Sequence, residues 1–172
     1  MSGHNKWSKI KNKKAVTDGQ KSKIFGKLVR FIAVESKKAK GHVIAPGLRA
    51  AIEKAREANV PSDNIDRAIK KGVGGEGGET EQITYEAYGP GGCALIIETL
   101  TENKNKAAQE IKHILTKNGF ELAAPGSATW AFDKNIPKNT ISISEEDGQK
   151  LGVLIEELEE NDEVQEVFTN AE

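Results

Sequence analysis

Residues 65–101 read IDRAIKKGVGGEGGETEQITYEAYGPGGCALIIETLT, and the hydrophobic period changes inside that run. Before the glycines, Ile65, Ala68 and Ile69 recur at helical spacing. After them, apolar residues gather in two short segments, Ile83–Tyr88 and Cys93–Thr101. These flank Gly89-Pro90-Gly91-Gly92, a strong turn signal, and read as paired strands. The run therefore divides a helical part from an α/β part, with residues 72–80 expected as a flexible glycine-rich linker. It also contains G-x-G-x-x-G at Gly72, Gly74 and Gly77. That match is rejected as a nucleotide fingerprint. It follows a helix rather than a strand, opens no helix, and places Glu76 where a phosphate would approach.

Toward the N-terminus, a helix is expected from Pro61 to Gly72 and another from Pro46 to about Asn59, since proline suits a first turn. A longer one spans Lys21–Ala39, with Ile24, Phe25, Leu28, Val29, Ile32 and Ala33 on its inward face. Residues 1–20 form a lysine-dense arm. Toward the C-terminus, Asn103–Asn118 reads as a helix stopped by Gly119. Ala128–Phe132 and Thr140–Ile143 read as short strands. Ser144 caps a last helix, with Asp147 at the capping-box position, and Val164–Thr169 is the final strand. The expected fold class is α+β: an all-helical basic module over 1–71, then a ferredoxin-like α/β sandwich with an open sheet over 81–172.

The 172 residues carry 25 basic and 26 acidic side chains, a balance that hides a division. Residues 1–71 hold 18 Lys/Arg against 6 Asp/Glu, and residues 72–172 hold 7 against 20. Such asymmetry points to a polyanionic partner for the first part. On a helical wheel Lys23, Lys27, Arg30, Lys37 and Lys38 share an arc of roughly 100° opposite the apolar stripe, with Val34 inside it and Phe31 at its edge. The arm adds Lys6, Lys9, Lys11, Lys13 and Lys14 around Trp7, an aromatic that could stack on a base or simply anchor the arm. These eleven residues are the candidate nucleic-acid contacts. A solvated helix face is the plainer alternative. Against it, Asp18 and Glu35 are the only acids in the first forty residues, so helix-face pairing is scarce. A membrane-surface helix fits less well, because the apolar stripe is needed for the core. Lysine exceeds arginine here, which suits backbone contact more than bidentate base readout.

Catalysis finds no residues to rest on. His4, His42 and His113 lack metal-ligand spacing, Cys93 has no neighbouring histidine, and Glu156, Glu157, Glu159 and Glu160 read as a solvated helix end. No cofactor, metal or small-molecule substrate is expected. The single cysteine fits a reducing compartment, and no apolar run has the length of a membrane span. A lysine-rich rather than arginine- and serine-rich start differs from a transit peptide, so a cytoplasmic protein is expected.

Three stretches carry a resemblance: MSGHNKWSKI at 1–10, KSKIFGKLVR at 21–30, and AREANVPSDNIDRAIKKG at 55–72, continued by TYEAYGPGG at 84–92. The chain resembles the YebC/PmpR family, relatives of which include the mitochondrial translational activator of cytochrome c oxidase. The resemblance implies a helical first domain followed by two α/β domains. It implies either a ribosome-associated factor that assists translation of proline-rich stretches, binding ribosomal RNA, or a DNA-binding transcriptional regulator. It supports nucleic-acid contact at Lys6, Trp7, Lys9, Lys13, Lys14, Lys23, Lys27 and Arg30. A protein–protein adaptor acting through the acidic part is a further alternative. Family members usually carry another α/β domain where residues 133–139 here join the flanks directly, and a more glycine-rich, acidic loop where residues 41–47 stand.

Overall fold

Among the described residues, the first part of the chain forms three helices: α1 (Asp18–Ala39), α2 (Pro46–Glu57) and α3 (Ser62–Gly74). The computed structural model describes residues 18–74 and 80–172, which fall into two units that meet at residues 81–82. The helical unit closes around Leu28, Ile32, Leu48, Ala51, Ile52, Ala55, Val60, Ile65 and Ala68. Each helix end is fixed locally. Asn59 adopts a left-handed conformation after α2, and the Val60 amide returns to the Ala55 carbonyl at 3.0 Å while its side chain is buried. Helix α1 ends the same way, with Lys40 and Gly41 left-handed and the Gly41 amide donating to the Ser36 carbonyl at 2.9 Å. Gly72 lies inside α3, not in a linker after it, because the helix runs on to Gly74.

The second unit holds β1 (Glu81–Tyr88), β2 (Ala94–Thr101), α4 (Lys104–Lys117), β3 (Leu122–Ala123), β4 (Phe132–Asp133), β5 (Ile136–Pro137), α5 (Glu145–Glu160) and β6 (Val164–Thr169). The main sheet has the order β3-β1-β2-β6. The β2–α4–β3 crossover passes over β1, the split βαβ arrangement of a ferredoxin-like sheet. Strand β6 pairs antiparallel with β2, placing Ile97 opposite Val167. Leu95 and Ile97 of the sheet pack with Ile111 and Leu115 of α4 and with Leu151, Leu154, Ile155 and Leu158 of α5. Caps confirm the helix bounds. Asn103 accepts from the Lys106 amide at 3.1 Å, and Ser144 accepts from the Asp147 amide at 3.1 Å. The α+β class and the helices packed against the sheet are as expected from the sequence.

Two expected strands are different. Residues 128–132 form a one-turn helix at Thr129–Ala131 that leads into the short β4. The cause is Glu86 on β1. Its buried carboxylate accepts from the amides of Gly126, Ala128 and Thr129 at 2.6, 2.9 and 2.8 Å. Successive strand amides point to opposite sides, so a backbone that turns these toward one carboxylate must curl. Thr140–Ile143 supplies a single parallel bridge, Ile141 to Ala171, before the Ser144 cap starts α5. The second βαβ half is therefore present in topology but nearly without its first strand.

The face of the sheet bearing Ala94, Ile96 and Phe168 packs against Ala128, Ala131 and Phe132. Strands β4 and β5 form a hairpin whose two corner residues, Lys134 and Asn135, both have positive φ, as a two-residue turn requires. Burial by itself would raise the Glu86 carboxyl, but the three amides and the Thr129 hydroxyl outweigh it and hold it below the ordinary carboxylate value. A depressed folded value stabilises the protein above the unfolded value, and that share is lost as pH falls through the folded one. Glu86→Gln should cost about 1–3 kcal/mol at neutral pH and flatten the acid limb of stability below about pH 4.5, measured by urea unfolding across pH 3–7.

Candidate nucleic-acid interface

Helix α1 carries the described part of the candidate site. Lys23, Lys37 and Lys38 are exposed, while Lys27 and Arg30 are half-buried. At about 1.5 Å rise per residue, Lys23 to Lys38 spans roughly 22 Å, the axial length of about six phosphates on one strand of a duplex. Lys23–Lys27 and Lys27–Arg30 are like-charge neighbours at i,i+4 and i,i+3, an arrangement that costs an isolated helix about 0.2–0.5 kcal/mol per pair. The far end of the arc is partly neutralised, since Lys38 pairs with Glu35 at 3.0 Å. Lys6, Trp7, Lys9, Lys11, Lys13 and Lys14 lie outside the described residues.

What orients this face is the contact between α1 and α3. Ser36 is buried, and its hydroxyl donates to the Ile69 carbonyl at 2.7 Å. Gly72 sits against the same turn of α1. A Cβ there would run into the Ala33 carbonyl oxygen and would come within 2.7 Å of the Ser36 Cβ. The sequence carries no sign of this role: a serine at a helix's inward face reads as neutral, and Gly72 reads as a helix stop and the start of a linker. The arc differs from expectation in two further ways. Val34, in its middle, is buried, and Ile24, assigned to the inward face, is 43% exposed. The apolar position that the helical wheel places inside the arc is thus buried, with the cations on either side of it.

Further cations, Lys40, Lys54, Arg56, Arg67, Lys70 and Lys71, are exposed elsewhere on the helical unit, and Arg49 pairs with Glu53 at 3.1 Å. In the other unit, Cys93 is buried and its thiol is pushed up, first by desolvation, which the Thr169 hydroxyl and backbone contacts do not offset. Such a thiol is a poor nucleophile at neutral pH. His113 is exposed. Glu157 is half-buried, accepting from the Asn118 side chain at 2.9 Å and pairing with Lys117 at 3.4 Å, so this acid ties α5 to the end of α4 instead of standing in solvent. Among the described residues, no group of three His, Cys, Asp or Glu side chains is placed to hold a metal ion, and no helix is long and apolar enough to cross a membrane.

The model of the TACO1/YebC N-terminal domain matches residues 5–75, and the model of the family's second and third domains matches 80–136 and 134–171. The chain belongs to the TACO1/YebC family. It is 40% identical to a "Probable transcriptional regulatory protein" of Fervidobacterium nodosum, over 235 residues taking in 99% of this chain and 93% of that one. It is 46% identical over 157 residues to a protein of the same name from Thermotoga maritima, covering 90% of this chain and 61% of the relative. A crystal structure of a conserved hypothetical protein from Aquifex aeolicus superposes with a TM-score of 0.88 at 31% identity, covering 97% and 96% of the two chains. A match of 235 residues to a 172-residue chain leaves roughly 65 residues of the first relative without a counterpart here. The two segments matched by the second model meet at 134–136, the β4–β5 turn.

If Gly72 permits the α1–α3 approach, Gly72→Val should destabilise the helical unit by about 3 kcal/mol through overpacking and lower its melting temperature. Ser36→Ala should cost about 0.5–1.5 kcal/mol by removing the hydroxyl's hydrogen bond to the Ile69 carbonyl. Thermal unfolding followed by circular dichroism checks both. An unchanged melting temperature for Gly72→Val would show that α3 can move away from α1 at little cost.

Proposed function

We propose that this chain is a non-enzymatic, cytoplasmic regulator of gene expression. Its helical unit grips the phosphate backbone of ribosomal RNA, and it acts as a translation factor at proline-rich stretches. The observation that carries this reading is the run of like-charged neighbours on α1, with Lys23, Lys27 and Arg30 on one arc of a helix whose rotation is set by Ser36. Such an arc is favourable against a polyanion. Lysine predominates over arginine, which suits contact with a backbone more than readout of bases. The lysine-dense arm, with Lys6, Lys9, Lys11, Lys13, Lys14 and Trp7, extends the same footprint along the sequence. Residues 133–139 make this a short form in which the family's inserted domain is absent.

A second reading has its own support. The relatives named above are called transcriptional regulatory proteins, which favours duplex DNA as the target. The two targets separate by experiment. Co-sedimentation with ribosomes and binding to mixed-sequence duplex DNA are each measured between 50 and 200 mM salt. For a factor making ~6–10 phosphate contacts, affinity should fall by ~10³–10⁵ over that range. Ribosome binding that persists at physiological salt, with duplex binding lost, supports the translation factor, whereas the reverse supports the transcriptional regulator. Replacing both Lys23 and Lys27 by Gln should lower the salt slope by about two, uniformly across sequences. An unchanged slope would remove α1 from the interface.

A further inference from the structure

The turn that joins α1 to α2 has a composition opposed to its position. Residues 42–45 form a β-turn closed by the Ala45 amide on the His42 carbonyl at 2.9 Å. Its two corner positions are Val43 and Ile44, where Gly, Asn, Asp, Pro or Ser would normally stand. Val43 is 50% exposed and Ile44 84%, more than any other large apolar side chain among the described residues. Scattered exposed apolar residues are ordinary on a protein surface, but this one differs in three respects.

First, the turn is held firmly. The left-handed pair Lys40–Gly41 closes α1 through the Ser36 carbonyl, the His42 amide donates to the Ala39 carbonyl at 3.0 Å, and Pro46 opens α2 directly afterwards. Second, the tip does not stand alone. Val73, itself 57% exposed, lies over Gly41, where an added Cβ would come within 2.8 Å of its Cγ2. Third, the segment is rich in cations: residues 37–49 contain Lys37, Lys38, Lys40, His42 and Arg49, of which Lys38 pairs with Glu35, whose carboxylate lies beside Gly47, and Arg49 pairs with Glu53. A rigid apolar tip within a cationic segment matches a nucleic-acid ligand, with charge for the phosphates and an apolar side chain for an unstacked base.

We propose that the Val43–Ile44 tip is a wedge that packs on an unstacked base of the nucleic acid bound by α1. This rests on the nucleic-acid reading above and adds a non-electrostatic contact to it. Because Ile44 is almost fully exposed, its replacement should leave the fold intact, which circular dichroism verifies. The test uses the full chain and an RNA hairpin with 2-aminopurine in its loop, titrated at several salt concentrations. Wild type should raise the 2-aminopurine fluorescence as the base unstacks. Ile44→Ser should weaken binding about tenfold and lose that signal while the salt slope stays unchanged. Ile44→Phe should stay within about twofold of wild type, because a ring packs on a base at least as well.

Equal affinity and equal fluorescence for Ile44→Ser would overturn the wedge. Wild-type binding with a steep salt slope but no fluorescence response would overturn the wedge alone and leave the phosphate grip standing. No binding by wild type would overturn both. If Ile44→Ser keeps its affinity for the hairpin but loses co-sedimentation with ribosomes, the tip contacts a protein and the base contact is wrong.

Discussion

The hydroxyl of Ser36, buried between two helices and bonded to the carbonyl of Ile69, fixes how α1 is turned about its own axis. Consecutive helix residues are about 100° apart, so displacing the inward face by one residue would carry the basic arc far from its present direction. Gly72 makes that bond reachable by letting the α3 backbone come against the Ala33–Ser36 turn of α1. The outward presentation of Lys23, Lys27 and Arg30 thus depends on one serine and one glycine that carry no charge. The apolar core around Ile32 and Leu48 holds the same helix against its two neighbours, and the serine and glycine act within that packing.

Charge is separated by unit. Residues 18–74 carry 13 Lys/Arg against 6 Asp/Glu, and residues 82–172 carry 7 against 17. Several lysines of the α/β unit are engaged within it: Lys106 with Glu110 and Glu163, Lys117 with Glu157, and Lys150 with Glu146. What remains there is a surplus of carboxylates that would repel a polyanion. A nucleic acid attracted to the helical unit would therefore be confined to it.

Much of this fold was legible because its elements obey simple periods. The helix over 103–118 was bounded to the residue by its two asparagines, and the last strand, Val164–Thr169, coincided with its apolar and β-branched run. The misread segments share one cause, a distant partner that no local period reveals. Ala128–Phe132 reads as a short apolar strand, yet Glu86, some forty residues away, curls its backbone. Gly72 looked like a stop because glycine usually is one, whereas here its missing side chain admits another helix. For the candidate site, the lysine arc was legible from the wheel alone. The burial of Val34 within it, and the roles of Ser36 and of the Val43–Ile44 turn, depended on tertiary neighbours.

The β4–β5 turn marks the point where the match to the family's second and third domains is interrupted. Lys134 and Asn135 take the positive φ values that a two-residue reversal needs, and they stand where the two segments matched by the model of the family's second and third domains meet. Phe132 and Pro137 face each other across the hairpin, so the chain leaves and re-enters the host at neighbouring points. The entropy of closing a loop grows only with the logarithm of its length, and an insertion whose ends already meet asks little more of its host than a tight turn does. The host sheet can be compared to a socket with its own dust cap: the same two strand ends accept either a folded passenger or a pair of residues. A longer segment between the same two ends would leave the β3-β1-β2-β6 pairing untouched, since none of those strands includes residues 133–139.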